Sequence, residues 1–259
     1  MPQIWCAGCG HGTILGAILR GVEKSEIDPS KLVIVSGIGC SSRAPGYVAL
    51  DGLHTTHGRA LPFATGIKVA RPDLTVMVIS GDGDLSAIGG NHFIHAARRN
   101  LDITVVCFNN SIYGMTSGQY SPLTPRDAMA TTAPYGHIER PFDLCQLAIG
   151  AGATYVARGT AYHAGLVTNQ VTRALKHKGF AFIDAISQCP TYYGRRNRMK
   201  TGVEMMKAQR DTAVNVKRAA KMPAEELAGK IIIGDIHVSQ ASEYTEEYQR
   251  VIDRAQGRT

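Results

Sequence analysis

The 259-residue sequence lacks an apolar run of the roughly 18–20 residues needed to cross a bilayer, so a membrane span is not expected. Its first residues, Met-Pro-Gln-Ile-Trp-Cys, lack a basic stretch followed by an apolar one, so no secretory signal is expected. Six cysteines in a chain this long are too few for a disulfide scaffold, and without an export signal a reducing, cytoplasmic setting is expected for them. There is no GxxxxGK[ST] phosphate loop. Gly37-Ile38-Gly39-Cys40 does not continue as a dinucleotide fingerprint either, because position 42 is Ser. Aromatic residues are sparse at 7%, and no aromatic-interleaved basic groove or zinc-finger spacing points to nucleic acid.

The chain does have enough apolar material, 44%, to bury a sizeable core, which excludes disorder. Its charge is lopsided. Between Arg195 and Lys221 nine Lys/Arg face only Glu204 and Asp211, which accounts for the whole net charge of +7. That segment reads either as a solvated helix face or as a docking surface for an acidic partner or an anionic substrate.

Short apolar, β-branched runs alternate with helical periodicity, the pattern of an α/β fold with a mainly parallel central sheet. Strands are expected at 32–38, 75–80, 103–108, 154–157 and 180–187, with a possible edge strand in 229–238. Helices are expected after Cys9 through Val22, over 60–70, from Ser86 as N-cap to Arg99, near 142–149 and over 162–176. Residues 111–137 are rich in Gly, Pro, Thr and Tyr. A loop of that length is usually functional. The composition divides the chain into a binding domain, 1–194, and a basic C-terminal extension, 195–259, packing on it.

Gly81-Asp82-Gly83 and Asn109-Asn110 carry the most specific signal. Asp82 and Asn110 stand 28 positions apart, separated by a turn, a helix and a strand. One parallel crossover fills that interval, so both fall just past the carboxyl ends of parallel strands, where α/β sheets bind ligands. An Asp carboxylate, an Asn amide oxygen and a nearby backbone carbonyl suit octahedral Mg²⁺ shared with a diphosphate. Glycines on either side of Asp82 let the backbone approach the phosphates. A GDG alone reads as a simple turn; the NN at this spacing is what raises it. The pattern resembles the thiamine diphosphate-binding motif.

Cys6 and Cys9 form a CxxC at the start of a helix, while Cys40 and Cys189 each follow a strand. On the residues alone, four thiols from converging loops suit a [4Fe–4S] cluster or a structural Zn²⁺. Cys107 and Cys145 lie in apolar patterns and read as core. His57 by itself reads as a loop histidine.

The segments WCAGCGHG at 5–12, GIGCSS at 37–42, HTTHGRALPFATGIK at 54–68, GDGD at 81–84, NNSIYGMTSGQ at 109–119 and CPTYYGRRN at 189–197 together resemble the β subunits of 2-oxoacid:ferredoxin oxidoreductases. The resemblance covers most of residues 5–200 and implies the three-layer thiamine diphosphate-binding fold. It implies [4Fe–4S] ligation by Cys6, Cys9, Cys40 and Cys189, and Mg²⁺ ligation by Asp82, Asn110 and the carbonyl of Ile112. Ile38, Gly39, Cys40, Ser41 and His57 would contact the cofactor, Gly83 and Asp84 would cradle its diphosphate, and Gly114, Met115 and Thr116 would close over it. His57 and Thr116 are the candidate catalytic residues.

The implied reaction is coenzyme A-dependent oxidative decarboxylation of a 2-oxoacid with electrons passed to ferredoxin, or its reverse. The stretch after Cys189 is most similar to the 2-oxoglutarate branch, with pyruvate or another 2-oxoacid as the alternative. Some archaeal relatives of broad substrate range carry a Lys where this chain has Ser117, which shifts recognition of the distal carboxylate toward a partner. No Glu identifiable as the activator of the thiamine aminopyrimidine is found. In the family it comes from an α subunit, so the chain alone is expected to be inactive. Two other readings remain at this point: a thiamine enzyme with structural zinc, and a non-catalytic iron–sulfur electron-transfer protein.

Overall fold

The computed structural model describes residues 3–199 and 201–258. Lys200, one of the nine basic residues of the charged segment, lies outside them. The first helix, α1 (His11–Ser25), follows directly on the CxxC loop. Strand β1 (Leu32–Ser36) is followed by a 3₁₀ segment over Ser41–Tyr47 and a short strand, β2 (Asp51–His54). Then come α2 (Ala60–Ala70), β3 (Thr75–Gly81), α3 (Gly90–Arg98) and β4 (Thr104–Asn109). After the long loop follow α4 (Leu144–Gly150), β5 (Tyr155–Thr160), α5 (Ala164–Lys176) and β6 (Ala181–Ile186). The C-terminal part adds α6 (Gly202–Thr212), β7 (Ala213–Asn215), α7 (Val216–Ala219), α8 (Ala224–Leu227), β8 (Ile231–Val238) and α9 (Tyr244–Ala255).

Among the described residues the strands form one eight-stranded sheet in the order β2-β1-β3-β4-β6-β5-β8-β7. Every neighbouring pair is parallel except β5–β8. The central strand β4 is buried at all six positions, as a strand covered on both faces must be. Helices α1 and α5 cover one face, where Ile14, Ile18, Val167 and Val171 pack on Ile34, Ile79 and Val106. Helices α2, α3 and α4 cover the other, where Leu61, Phe93 and Leu144 pack on Val78, Val105 and Phe182. Phe93 meets Phe180 and Phe182 edge-on, with ring centroids 5.9 and 5.0 Å away. The expected three-layer α/β fold is therefore present. No helix among the described residues is long and apolar enough to cross a membrane.

Pairing brings Gly81 level with Phe108 and Asn109 level with Ile186, so β3, β4 and β6 end together. With β1 alongside β3, the carboxyl ends of four adjacent strands make one rim. Cys40, Asp82, Asn110 and Cys189 are delivered to it by β1, β3, β4 and β6 in that spatial order.

Two expectations need correction. Ser86 does not cap a helix. Residues Asp84–Ile88 form a wide π-turn, the Ser86 hydroxyl donates to the Asp82 carbonyl at 2.6 Å, and α3 begins only at Gly90. The turn is held open because the Asp84 carboxylate is bound to other loops, as described below. The strand within 229–238 is not the sheet edge, since β7 pairs outside it. The part after residue 194 packs on the same sheet: β8 adds directly to β5, and the buried Glu243 accepts from the Asp102 N–H at 3.1 Å.

Candidate functional site

Two of the cavities at the strand-end rim adjoin each other. The first, of about 80 Å³, is lined by the loops after β1, β2, β3 and β4. It gathers Ile38, Gly39, Cys40, Ser41, His57, Asp82, Gly83, Asp84, Asn110, Ile112, Gly114, Met115 and Thr116, all of the residues expected at the cofactor and Mg²⁺. The second, of about 240 Å³, is lined by Cys6, Cys9, Cys40 and Cys189 with Trp5 and Tyr192 among others. Cys40, Asn110, Gly114 and Met115 belong to both walls.

At the floor of the first cavity the end of the Asn110 carboxamide lies 2.7 Å from the Ile112 carbonyl oxygen and 3.1 Å from Asp82 Oδ1. The amide can donate its NH₂ to both oxygens, or turn its own oxygen beside them toward a shared cation. Adjacent oxygens of an octahedral Mg²⁺ shell, each about 2.0–2.1 Å from the ion, stand about 2.9 Å apart. The spacing fits a shared cation; without one, the amide would satisfy the same oxygens by turning over its NH₂. Asp82 is buried, and burial pushes its carboxyl up to about 7. The Ser121 hydroxyl opposes that shift by donating to Asp82 Oδ2.

Gly83 sits under the Tyr113 ring. A Cβ there would come within 2.3 Å of the ring, while the Tyr113 hydroxyl donates to the Gly83 carbonyl at 3.0 Å. Burial and the charges of Asp82 and Asp84 push the Tyr113 phenol up to about 12, so it stays protonated as that donor. Ser41 Oγ is buried with no hydrogen-bond partner and lines the same cavity. An orphaned hydroxyl beside a glycine-flanked turn fits a diphosphate-bearing ligand.

The buried Asp84 carboxylate is fully engaged. It accepts from the N–H groups of Gly58 at 2.7 Å and Ile38 at 3.2 Å and from the Ser80 hydroxyl at 2.5 Å, and it is hydrogen-bonded to His57 Nδ1. Asp84 is thus a brace that ties the loops after β1, β2 and β3 together and fixes the His57 ring on the rim. Thr116 Oγ1 donates to Gln119 Oε1 at 2.6 Å, within a tight loop closed by pairing of Tyr113 with Gln119.

Around the second cavity, burial pushes Cys9 up to about 12 and Cys40 up to about 11, and neighbouring cysteines add to both shifts. Burial also raises Cys189, against the backbone N–H groups of Thr191, Tyr192 and Tyr193 that hydrogen-bond its sulfur. The Trp5 indole N–H donates to the Cys40 carbonyl at 2.7 Å and closes one side. Among the described residues no three His, Cys, Asp or Glu side chains gather tightly enough to hold a single ion. Cys107 and Cys145 are buried core thiols, as expected.

The sequence carries known relatives of this arrangement. Residues 37–185 match the profile of the family described as thiamine pyrophosphate enzyme, C-terminal TPP binding domain. The chain is 52% identical over its whole length to the 2-oxoglutarate synthase subunit KorB of Methanothermobacter marburgensis, covering 90% of that protein. It belongs to the family of 2-oxoacid:ferredoxin oxidoreductase β subunits. A Saccharolobus solfataricus 2-oxoacid:ferredoxin oxidoreductase subunit beta is 46% identical over 73% of this chain and 62% of its own. A solved 2-oxoglutarate:ferredoxin oxidoreductase from Magnetococcus marinus, with 2-oxoglutarate, coenzyme A and succinyl-CoA bound, superposes with a TM-score of 0.89 at 37% identity, covering 99% of this chain and 88% of that one.

Three residues of this β-subunit site were not singled out from the sequence. Ser121, 39 positions from Asp82, supplies its hydroxyl partner. Tyr113 sits within the quoted NNSIYGMTSGQ motif, yet its packing on Gly83 is visible only in three dimensions. His11 lines the first cavity, fully buried, with Nδ1 2.7 Å from Ser187 Oγ. Burial lowers it to about 3, so it is a neutral imidazole; only its place directly after the CxxC loop hinted at a role.

Proposed function

We propose that the chain is the cofactor-binding subunit of an enzyme that converts 2-oxoglutarate and coenzyme A to succinyl-CoA and CO₂ and passes the electrons to ferredoxin, or runs the reverse carboxylation. The observation that carries this reading is the shared wall: an oxygen triad spaced for Mg²⁺ and a four-cysteine cavity meet at Cys40, Asn110, Gly114 and Met115. The choice of 2-oxoglutarate rests on the named activities of the relatives.

Asp82, Asn110 and the Ile112 carbonyl would hold Mg²⁺, with the backbone at Gly83 and the Ser41 hydroxyl against the diphosphate. Ile38 and Met115 offer an apolar wall. His57 Nδ1 is engaged by Asp84, which leaves Nε2 as the atom that can exchange a proton with substrate at the rim. Thr116 faces the same cavity with its hydroxyl steadied by Gln119. Bound thiamine diphosphate supplies the electron sink for decarboxylation, and an iron–sulfur centre accepts electrons singly.

The four thiols, with Ile4, Trp5, Met115 and Tyr192 among others, line a cavity of about 240 Å³, which has room for an iron–sulfur cluster. The first cavity, at about 80 Å³, is smaller than the roughly 300–1,000 Å³ that organic ligands usually occupy. Its rim residues Ile38 and Met115 are 37% and 47% exposed, and the His57 side chain is 39% exposed. A bound cofactor would project beyond this chain, which supports completion of the pocket by an α subunit.

Anaerobic co-production with the α chain, followed by viologen-dye reduction across several 2-oxoacids, tests the reading. Coenzyme A-dependent reduction with 2-oxoglutarate, absent when either chain is omitted, is the expected result. Turnover by this chain alone, or turnover of pyruvate without 2-oxoglutarate, contradicts it.

A further inference from the structure

The open end of the four-cysteine cavity and the start of the basic segment form one surface. Of the four lining thiols, Cys6 is exposed, Cys9 and Cys40 are partly covered, and Cys189 is buried. The CxxC loop is fastened to the start of α6. A Cβ on Gly202 would lie 2.5 Å from the Gly8 carbonyl oxygen, so the two backbones touch. Gln188 Nε2 donates to the Gly8 carbonyl at 3.1 Å, and Gln209 Nε2 of α6 donates to Gln188 Oε1 at 3.3 Å. From the other side, the turn Pro190–Gly194 starts at Cys189 and leads straight into Arg195. Asn197 fixes the stretch that follows, accepting from the Met129 N–H at 2.8 Å and donating to the Met129 carbonyl at 3.0 Å.

Arg195 and Arg198 are therefore held close to the cysteine loop, Lys207 follows further along α6, and all three are exposed. Among the described residues, Arg195, Arg196 and Arg198 enter no ion pair, whereas Arg210 further along α6 is paired with Asp211. Unpaired arginines on a hydrogen-bonded segment contribute little to folding; they are a standing positive field beside the exposed thiol. Ile4, which lines the cysteine cavity, and Val203, which follows Gly202, are 63% and 64% exposed. A small apolar centre with cations around it has the character of a weak, transient electron-transfer interface.

We propose that this face, with Cys6, Ile4 and Val203 at its centre and Arg195, Arg198 and Lys207 around it, is the docking surface for an acidic iron–sulfur carrier of the ferredoxin type. The inference rests on the cluster reading of the four-cysteine cavity. Cys6 marks the side on which that cavity can be approached most closely. The complementary charge steers the encounter and makes it salt-dependent.

The test uses the anaerobic complex of this chain with its α partner and a small acidic 2[4Fe–4S] ferredoxin. Binding is measured by calorimetry at low and high salt, beside viologen reduction. The double variant Arg195→Glu/Arg198→Glu is expected to weaken ferredoxin binding on the order of tenfold or more at low salt, with the difference fading at high salt. Its viologen rate should stay within about twofold of the parent, since those residues touch neither cavity wall. Ile4→Ala should weaken binding at both salt concentrations, and Lys24→Glu, at the far end of α1, should change nothing. Arg195→Gln/Arg198→Gln gives the same readout at half the charge change should the double reversal fold poorly. Unchanged ferredoxin affinity in the arginine variants overturns the proposal. So does release of the α chain by those variants, which would assign the face to that subunit. A complex in which the parent binds ferredoxin but reduces no dye with any 2-oxoacid refutes the proposed function and leaves the docking surface standing.

Discussion

Removing one hydroxyl group should make Mg²⁺–thiamine diphosphate binding strongly pH-dependent. Ser121 donates to Asp82 Oδ2, and Asp82 is the only carboxylate in the oxygen triad that faces the proposed cation. Burial already pushes Asp82 up to about 7. The sign follows directly: a raised carboxyl holds its proton through mildly acid pH, a proton competes with a cation, and affinity falls as pH drops through about 7. A hydrogen bond to a charged group contributes about 1.5–3 kcal/mol. At about 1.4 kcal/mol per pKa unit, its loss in Ser121→Ala raises Asp82 by a further one to two units. At pH 7 about half of the parent's Asp82 is ionised, against under about a tenth in the variant, so affinity should drop on the order of tenfold. At pH 9 the two proteins should agree within a few-fold. Calorimetric titration of thiamine diphosphate with excess Mg²⁺ at both pH values is the assay. The cofactor's own ionisation is common to both proteins and cancels in the comparison. Equal weakening at pH 7 and pH 9 would refute the reasoning, because it would mean that Ser121 only shapes the loop.

Replacing Cys6, Cys9, Cys40 or Cys189 by Ala should abolish the broad absorbance near 400 nm of anaerobically purified protein, while Cys107→Ala and Cys145→Ala keep it. Gly83→Ala drives a methyl group into the Tyr113 ring and should lower thiamine diphosphate affinity more than about tenfold with circular dichroism unchanged; Gly83→Ala/Tyr113→Ala should recover part of it. Phe93→Ala empties a fully buried site between α3 and β6 and should cost about 3–5 kcal/mol in denaturant unfolding, with cofactor affinity per folded molecule retained.

What could be read in the sequence follows from how locally each feature is determined. Strands β3 and β4 are buried on both faces, so their apolar runs announce them, and the residues just past them fall on the ligand-binding rim by topology alone. Strand β2 was invisible because Asp51-Gly52-Leu53-His54 is short and largely exposed; only its backbone pairing with β1 makes it a strand. Ser86 looked like a helix cap because cap chemistry is local. The competing force, four donors converging on Asp84 from three loops, comes from residues up to 46 positions away. Helix α9 is strongly polar and docks on the fold by way of Glu243, whose partner Asp102 lies 141 positions earlier. In the site, cysteines and the GDG and NN pairs were legible because their chemistry is fixed by residue type. Ser121, Tyr113 and His11 were not, because serine, tyrosine and histidine acquire their roles here from contacts that only folding creates.

The central claim is that iron and a divalent cation occupy neighbouring cavities that share Cys40 and Asn110. Anomalous X-ray diffraction from crystals grown anaerobically with Mn²⁺ in place of Mg²⁺ and with thiamine diphosphate tests it most directly. Data at the iron edge should show density enclosed by Cys6, Cys9, Cys40 and Cys189, and data at the manganese edge a separate peak between Asp82, Asn110 and the Ile112 carbonyl. A lone zinc peak among the thiols, or manganese bound away from Asp82, would contradict the account.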